Sequence, residues 1–392
     1  MNIGIFTDTY EPEINGVSVF LETLRCELEK RNHRIFIFAP SQSFTSSYSS
    51  EKQVWRLPSI KFYGDKQVRI ALPVLAAREI AQLNLDIIHT HTPGPIGLLG
   101  LRLAHKLNIP VIHTYHTHFE KYLHYLHLPE WATKKVALLA MKNIVLNRHN
   151  AIIVSTQGIK TKLEEYGTTK PISVIPSGID FEELKRLSLE EKPAAIIKKF
   201  GIKKNVSLLV SATRLGKEKN IEFLIRAVEY LKTKKNIAVR LIIAGDGPEK
   251  ETLQRQVKLL GLEHEISFPG FLTHAELFTL YRISTAFVIS SLTETLGLAV
   301  IEAMALGLPV VGVKATGVDE IMIRNQGGFM TRENVLEFSQ AIEKLILDPD
   351  LYQKKKKEAL KRAQDFSIEN TSRQLLFFYR TAIQAELLLA YK

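Results

Sequence analysis

The stretch "AFVISSLTETLGLAVIEAMALGLPVVGV", Ala286 to Val313, holds a strand, a loop, a helix and a second strand in one run. "AFVISS" is apolar at almost every position and rich in β-branched residues, as a strand buried on both faces must be. "LGLAVIEAMALG" carries helical periodicity and stops at Gly307 and Pro309. "PVVGV" then returns as another buried strand. A unit of this kind builds a parallel sheet with crossover helices, and therefore an α/β fold.

The same alternation extends outward through the chain. "VSLLVSAT", "VRLIIAGDG" and "ISFPG" precede that unit as strands, with helical stretches between them. Earlier, "NIGIFT", "HRIFIFAP", "DIIHTH", "PVIHTYH", "AIIVST" and "ISVIPS" alternate with amphipathic runs such as "SVFLETLRCELEKRN" and "PIGLLGLRLAHKLN". A chain of 392 residues suits two domains rather than one core. The join falls after "IPSGID", Ile175–Asp180, which sets the domains at 1–179 and 180–370. The amphipathic tail 371–392 is expected to return to the first domain. Two doubly wound domains bind ligands beyond the carboxyl ends of their strands. Facing edges of this sort would make a deep cleft with room for a donor and an acceptor.

Composition narrows the function. No apolar run reaches the ~20 residues of a membrane-spanning helix, and "MNIGIFTDTYEPEING" does not read as a signal peptide. Cys26 is the only cysteine, which excludes an internal disulfide and thiolate metal clusters and fits a cytosolic setting. The net charge of +11 favours an anionic partner: a membrane surface, a phosphorylated small molecule or a nucleic acid. The basic residues are spread out, without the aromatic interleaving of a stacking platform, so nucleic acid is not expected. The run "KKKK", Lys354–Lys357, reads as a solvated helix face.

Chemistry concentrates around the opening stretch. Glu294 lies in the loop before the helix and Glu302 in its second turn. The peptide N–H groups near Thr295, Leu296, Gly297 and Leu298 open that helix and suit a phosphate. "SATRLGKEKN" places Arg214 and Lys219 between a strand end and a helix start. Arg supplies a bidentate fork for phosphate and Lys a point charge. "AGDGPEK", with Gly245, is a glycine turn of the same type. Singly, each residue also fits a surface position; together they point to a diphosphate.

"RLGKEKN", "AGDGP" and "SLTETLGLAVIEAMALGLPVV" resemble the signature of the family-4 retaining glycosyltransferases of the GT-B fold. Glu294 and Glu302 match the family's E-x7-E motif, and "NGVSVFLETL", "IPSGID" and the closing "FS" plus helix extend the likeness over essentially the whole chain. The resemblance implies that Arg214 and Lys219 neutralise the diphosphate of a nucleotide-sugar donor. It also implies that Glu302 binds ribose hydroxyls, and Glu294 those of the transferred sugar. Backbone amides near Gly297, Leu298 and Gly16 would meet phosphate. No D-x-D type acidic pair stands among these motifs, so neither a metal nor another cofactor is expected.

"VIHTYHTHFEKYLHYLH", Val111–His127, holds five of the twelve histidines. Alternation along a strand sends neighbours to opposite faces, which argues against converging metal ligands. In the resemblance His116 matches the active-site histidine beside the donor sugar, with His113 and His118 as structural or loop positions. From Trp131 to Arg148 a helix with an apolar face and a basic edge (Lys134, Lys135, Lys142, Arg148) suits a membrane interface. As a bare pattern it equally suits packing on its own domain. "DIIHTHTPGPIGLLG" and "PVIHTYHTHFEKYLHYL" resemble the diacylglycerol glucosyltransferase branch. That branch implies glucose transfer from UDP-glucose to diacylglycerol at the cytosolic membrane face. GDP-mannose with a phosphatidylinositol-type or soluble acceptor is the alternative within the class, and a nucleotide-sugar epimerase the alternative outside it.

Overall fold

The structure, a computed structural model, describes residues 1–13, 15–45, 47–49, 53–62, 65–72, 77–116 and 141–390. These residues fall into two compact units, Met1–Gly178 with Ile368–Lys392, and Ile179–Ser367. Trp131, Lys134, Lys135 and His118 lie outside the described residues.

The first unit is built on a sheet of order β10-β9-β8-β7-β1-β2-β4-β3. Its strands are β1 (Asn2–Phe6), β2 (Arg34–Pro40), β3 (Ser47–Ser49), β4 (Val54–Leu57), β7 (Ile87–Thr90), β8 (Val111–Tyr115), β9 (Ala151–Val154) and β10 (Ile172–Val174). All pair in parallel except β3, which runs antiparallel to β4. A separate antiparallel pair joins β5 (Ser59–Phe62) to β6 (Asp65–Ala71). The central strands are continuous apolar runs because both faces are covered; Ile3, Ile5 and Phe6 are wholly buried. Helix Gly16–Lys30 follows β1 and opens on a capping box. The Asn15 side chain accepts from Val17 N and Ser18 N, and Asn15 N donates to Ser18 Oγ, each at 3.0 Å. The terminal helix Ile368–Ala390 packs against Gly16–Lys30 and buries Leu375 and Tyr379, while Phe377 stays exposed.

Strands β3 to β6 went unread in the sequence. "VWRL" and "DKQVRIA" mix charge with apolar residues, and β3 and β4 lie at one margin of their sheet, so no buried run marks them.

The second unit is a parallel sheet of order β13-β12-β11-β14-β15-β16. The strands are β11 (Ser207–Ala212), β12 (Val239–Ala244), β13 (Ile266–Gly270), β14 (Ala286–Ile289), β15 (Val310–Val313) and β16 (Gly328–Thr331). Strand alternation divides its core between two faces. Leu208, Val210, Phe287, Ile289 and Val310 pack into one cluster, and Leu209, Ala286, Val288 and Val311 into the other. Both faces are therefore covered by helices, as a doubly wound sheet requires. Within "KKKK", Lys355 turns inward: its Nζ donates to Asn325 O at 2.7 Å and to Glu358 Oε2 at 2.9 Å. That residue departs from the expected solvated face because the backbone ahead of β16 needs a donor there.

Candidate active site

In the second unit β11 lies between β12 and β14, so the chain leaves β11 on one side and meets β14 on the other. The loops after β11 and β14 diverge there, which is where an open α/β sheet holds a ligand. The sequence candidates line this switch point. Lys219, from the β11 loop, and Glu294, from the β14 loop, meet at 2.6 Å, with both side chains less than a fifth exposed. Ser290 Oγ donates to Lys219 O (2.9 Å) and Asn220 O (2.8 Å), tying the two loops together. Arg214 sits half-buried in the same β11 loop.

Helix Leu298–Ala305 starts at Gly297, which takes φ +88 and supplies no side-chain cap. The Leu298 and Ala299 amides meet no side-chain cap from Gly297, which suits an anion, favoured further by the helix dipole. Glu302 is in the second turn, and burial pushes its carboxyl up to about 7. Gly245, on the β12 loop, takes φ +130, and a Cβ there would lie 2.0 Å from Thr213 O. It lets the β12 loop close on the β11 loop, where Leu215 N donates to Asp246 O at 3.0 Å. One supporting residue escaped the sequence reading. A Cβ on Gly317 would lie 2.6–2.8 Å from backbone atoms of Glu294, Thr295 and Leu296, and Gly317 N donates to Glu294 O at 3.2 Å. The glycine of "ATGVDE" was the available signal.

In the first unit the switch falls between β1 and β7. Asp8, just past β1, receives Thr92 Oγ1 (2.5 Å), Ile96 N (2.9 Å) and Gly97 N (3.3 Å), so it caps helix Pro95–Leu107 across the switch. Burial nevertheless raises its carboxyl above the usual range. Gly16 is exposed at the start of its helix. The histidines gather at the ends of β7 and β8. His89 bonds Tyr379 Oη (Nδ1, 2.7 Å) and Thr114 Oγ1 (Nε2, 2.6 Å). His113 Nδ1 and His149 Nε2 share Thr90 Oγ1 at 2.7 and 2.9 Å. His91 Nδ1 and His116 Nε2 are 2.9 Å apart. Burial holds His116 down to about 4, and lowers His89, His91 and His113 well below their ordinary value, so all are neutral near pH 7. Of the proposed basic edge, Arg148 is exposed in a 3-10 turn, Leu146–Arg148, and Lys142 lies in a π-helical turn, Met141–Val145.

With this geometry, residues 14–183 match Glycosyltransferase Family 4 and residues 193–362 match Glycosyl transferases group 1. An alpha-monoglucosyldiacylglycerol synthase of Streptococcus pneumoniae is 32% identical over 98% of this chain and 86% of its own length. The chain belongs to the family-4 glycosyltransferases. A second relative, the alpha-monoglucosyldiacylglycerol synthase of Acholeplasma laidlawii, is 33% identical over 79% of this glycosyltransferase and 80% of its own length. Among solved structures, sucrose-phosphate synthase from Thermosynechococcus elongatus matches with a TM-score of 0.76 at 19% identity, covering 98% of this chain and 99% of that one. Anabaena HepE in complex with UDP and glucose matches at 0.74 and 19%, covering 97% and 100%. These two likenesses establish the GT-B fold. The expected family and fold are thereby confirmed, and this glycosyltransferase is a hexosyltransferase.

Proposed function

We propose that this enzyme transfers glucose from UDP-glucose, with retention, to diacylglycerol or a related lipid at the cytosolic membrane face. The observation that carries the donor half is the Lys219–Glu294 pair at the β11/β14 switch, beside an uncapped helix start. Fixed cations and helix dipoles stabilise a leaving nucleoside diphosphate, so Arg214, Lys219 and the amides at Gly297 and Leu298 supply what a metal would. Glu302 takes the ribose hydroxyls and Glu294 the hydroxyls of the sugar; Thr295, Leu296, Gly245 and Gly16 shape the donor surroundings. The bond from the sugar's anomeric carbon to the phosphate oxygen breaks, and a bond from that carbon to the acceptor oxygen forms on the same face. The acceptor's proton passes to the leaving phosphate oxygen, and His116 contacts the donor sugar without acting as the base.

The acceptor half rests on the likeness to the two alpha-monoglucosyldiacylglycerol synthases and on the +11 charge. Trp131, Lys134, Lys135, Lys142 and Arg148 form the membrane surface in this reading. Among the described residues no helix is long and apolar enough to cross a membrane.

Radiolabelled UDP- and GDP-sugars, offered with EDTA and mixed micelles containing diacylglycerol, test the reading. Label entering the lipid phase from UDP-glucose as the α-anomer is the expected result. Transfer from GDP-mannose instead, or only hydrolysis, overturns the donor or the acceptor assignment. Glu294→Ala and Arg214→Ala should each lose ~2–4 kcal/mol of transition-state stabilisation. Lys142→Glu with Arg148→Glu should weaken binding to anionic vesicles and spare UDP affinity; unchanged vesicle binding removes these two residues from the membrane surface.

A further inference from the structure

His91 is buried, and nothing in the reaction as written uses it. Its Nδ1 faces His116 Nε2 at 2.9 Å, with the two rings stacked 5.2 Å apart. Among the described residues its other nitrogen, Nε2, is buried without a hydrogen-bond partner. Between two neutral imidazoles one nitrogen donates and the other accepts, which leaves two arrangements. If His116 donated from Nε2, the proton of His91 would sit on its own Nε2, as a buried N–H with no acceptor. Such orphaned donors are the rarer and costlier case. The other arrangement leaves only a lone pair unused.

We propose that His91 is a positioning residue that donates from Nδ1 to His116 Nε2 and so fixes the tautomer and orientation of the His116 ring. The proton of His116 then sits on Nδ1, and His116 meets the donor sugar as a hydrogen-bond donor at that atom. Its Nε2 lone pair is occupied, so the ring has no basic nitrogen to offer the acceptor hydroxyl. This rests on the role given to His116 above, and it adds the reason why proton removal falls to the leaving phosphate oxygen.

His91 is anchored from behind. Its backbone N–H donates to Phe6 O at 2.9 Å. On its far side lies His89, with ring centroids 3.8 Å apart. Both nitrogens of His89 are held, by Thr114 from β8 and by Tyr379 from the terminal helix. Phe20, from helix Gly16–Lys30, meets the His116 ring edge-on at 5.9 Å. A third group that orients a catalytic histidine through its second nitrogen is a general device, and its loss is felt in turnover more than in binding.

Nitrogen-15 spectra of the histidine side chains in the wild-type protein at pH 7 test the tautomer directly. The expected result is a protonated Nδ1 and a bare Nε2 on His116; a proton on His116 Nε2 overturns the inference. Two substitutions separate position from bulk. His91→Leu removes the donor, and kcat should fall roughly 10–100-fold with KM for UDP-glucose changed less than about threefold. His91→Asn keeps an N–H near the position of Nδ1, and should recover kcat to within about fivefold and restore the tautomer signal. Severe loss in His116→Ala with wild-type kcat in His91→Leu sinks this inference alone. Full turnover in His116→Ala removes both residues from the reaction, and with them the role proposed for His116.

Discussion

Glu302 is a residue whose chemistry the sequence placed but whose electrostatics it could not. Its position eight after Glu294 follows from the motif, and helical periodicity alone allowed a solvent-facing side chain. Burial instead lifts its carboxyl from 4.5 to about 7. In the proposed role it accepts two ribose hydroxyls, which needs the carboxylate. The protonated fraction of the free enzyme therefore competes with the donor. The affinity for UDP-glucose, whose diphosphate does not titrate near neutrality, should tighten about tenfold between pH 6 and 8 and then level off. Glu302→Gln should bind more weakly with no pH dependence across that range. Calorimetric titration at several pH values reads this, and a flat wild-type profile would remove Glu302 from the donor contact. Lys219 and Glu294 were legible as separate candidates. Their 2.6 Å pairing was not, because it joins residues 75 apart through the sheet order.

At the scale of elements, legibility followed burial. β1, β2, β7, β8 and β14 are apolar runs covered on both faces, and these could be read directly. β4 and the β5–β6 pair carry arginine, lysine and tryptophan in short segments, and β16 is a four-residue "GFMT"; neither has a period to detect. Helix Thr316–Ile321 shows what such gaps conceal. It carries Gly317 onto the backbone of the Glu294 loop, so the loop's position depends on an absent methyl group. Gly317 has no need of the left-handed region, and alanine there is strained only by contact. Gly317→Ala must move backbone rather than a flexible side chain, at a cost of about 1–3 kcal/mol. The displacement falls on Glu294, and kcat should drop by at least about tenfold. Gly201, at φ +59 with open space around it, is the opposite case. Gly201→Ala should lower the melting temperature and leave kcat unchanged. Equal turnover in the two variants would separate Gly317 from the site.

For the whole molecule, the two units carry different titrating groups, and acid should separate them. In the first unit His33, His89, His91, His113 and His116 are all held below their ordinary value, chiefly by burial. Between about pH 6.5 and 4 the unfolded chain takes up protons that the folded unit refuses. Their contribution is full above about 6.5 and is lost as pH falls, with His116 alone accounting for roughly 3 kcal/mol by pH 4. Asp8, raised by burial, opposes them in that unit. In the second unit His274 is lowered, but Glu302 and Asp319 are raised and gain stability as pH falls. The carboxylates lowered there, Asp246, Glu276, Glu337 and Glu358, do not enter until the pH nears their ordinary range. The first unit should therefore weaken from pH 7 to 5 while the second holds. Trp55 packs against Phe36 and Phe38 in the first unit, and the sequence of the second unit holds no tryptophan, so fluorescence follows the first unit while far-ultraviolet dichroism follows both. In urea at pH 7.5 the two signals should change at closer midpoints than at pH 5, where fluorescence should change at the lower urea concentration. Coincident midpoints at both pH values, or dichroism leading at pH 5, would show that the buried histidines do not set the acid stability of the first unit.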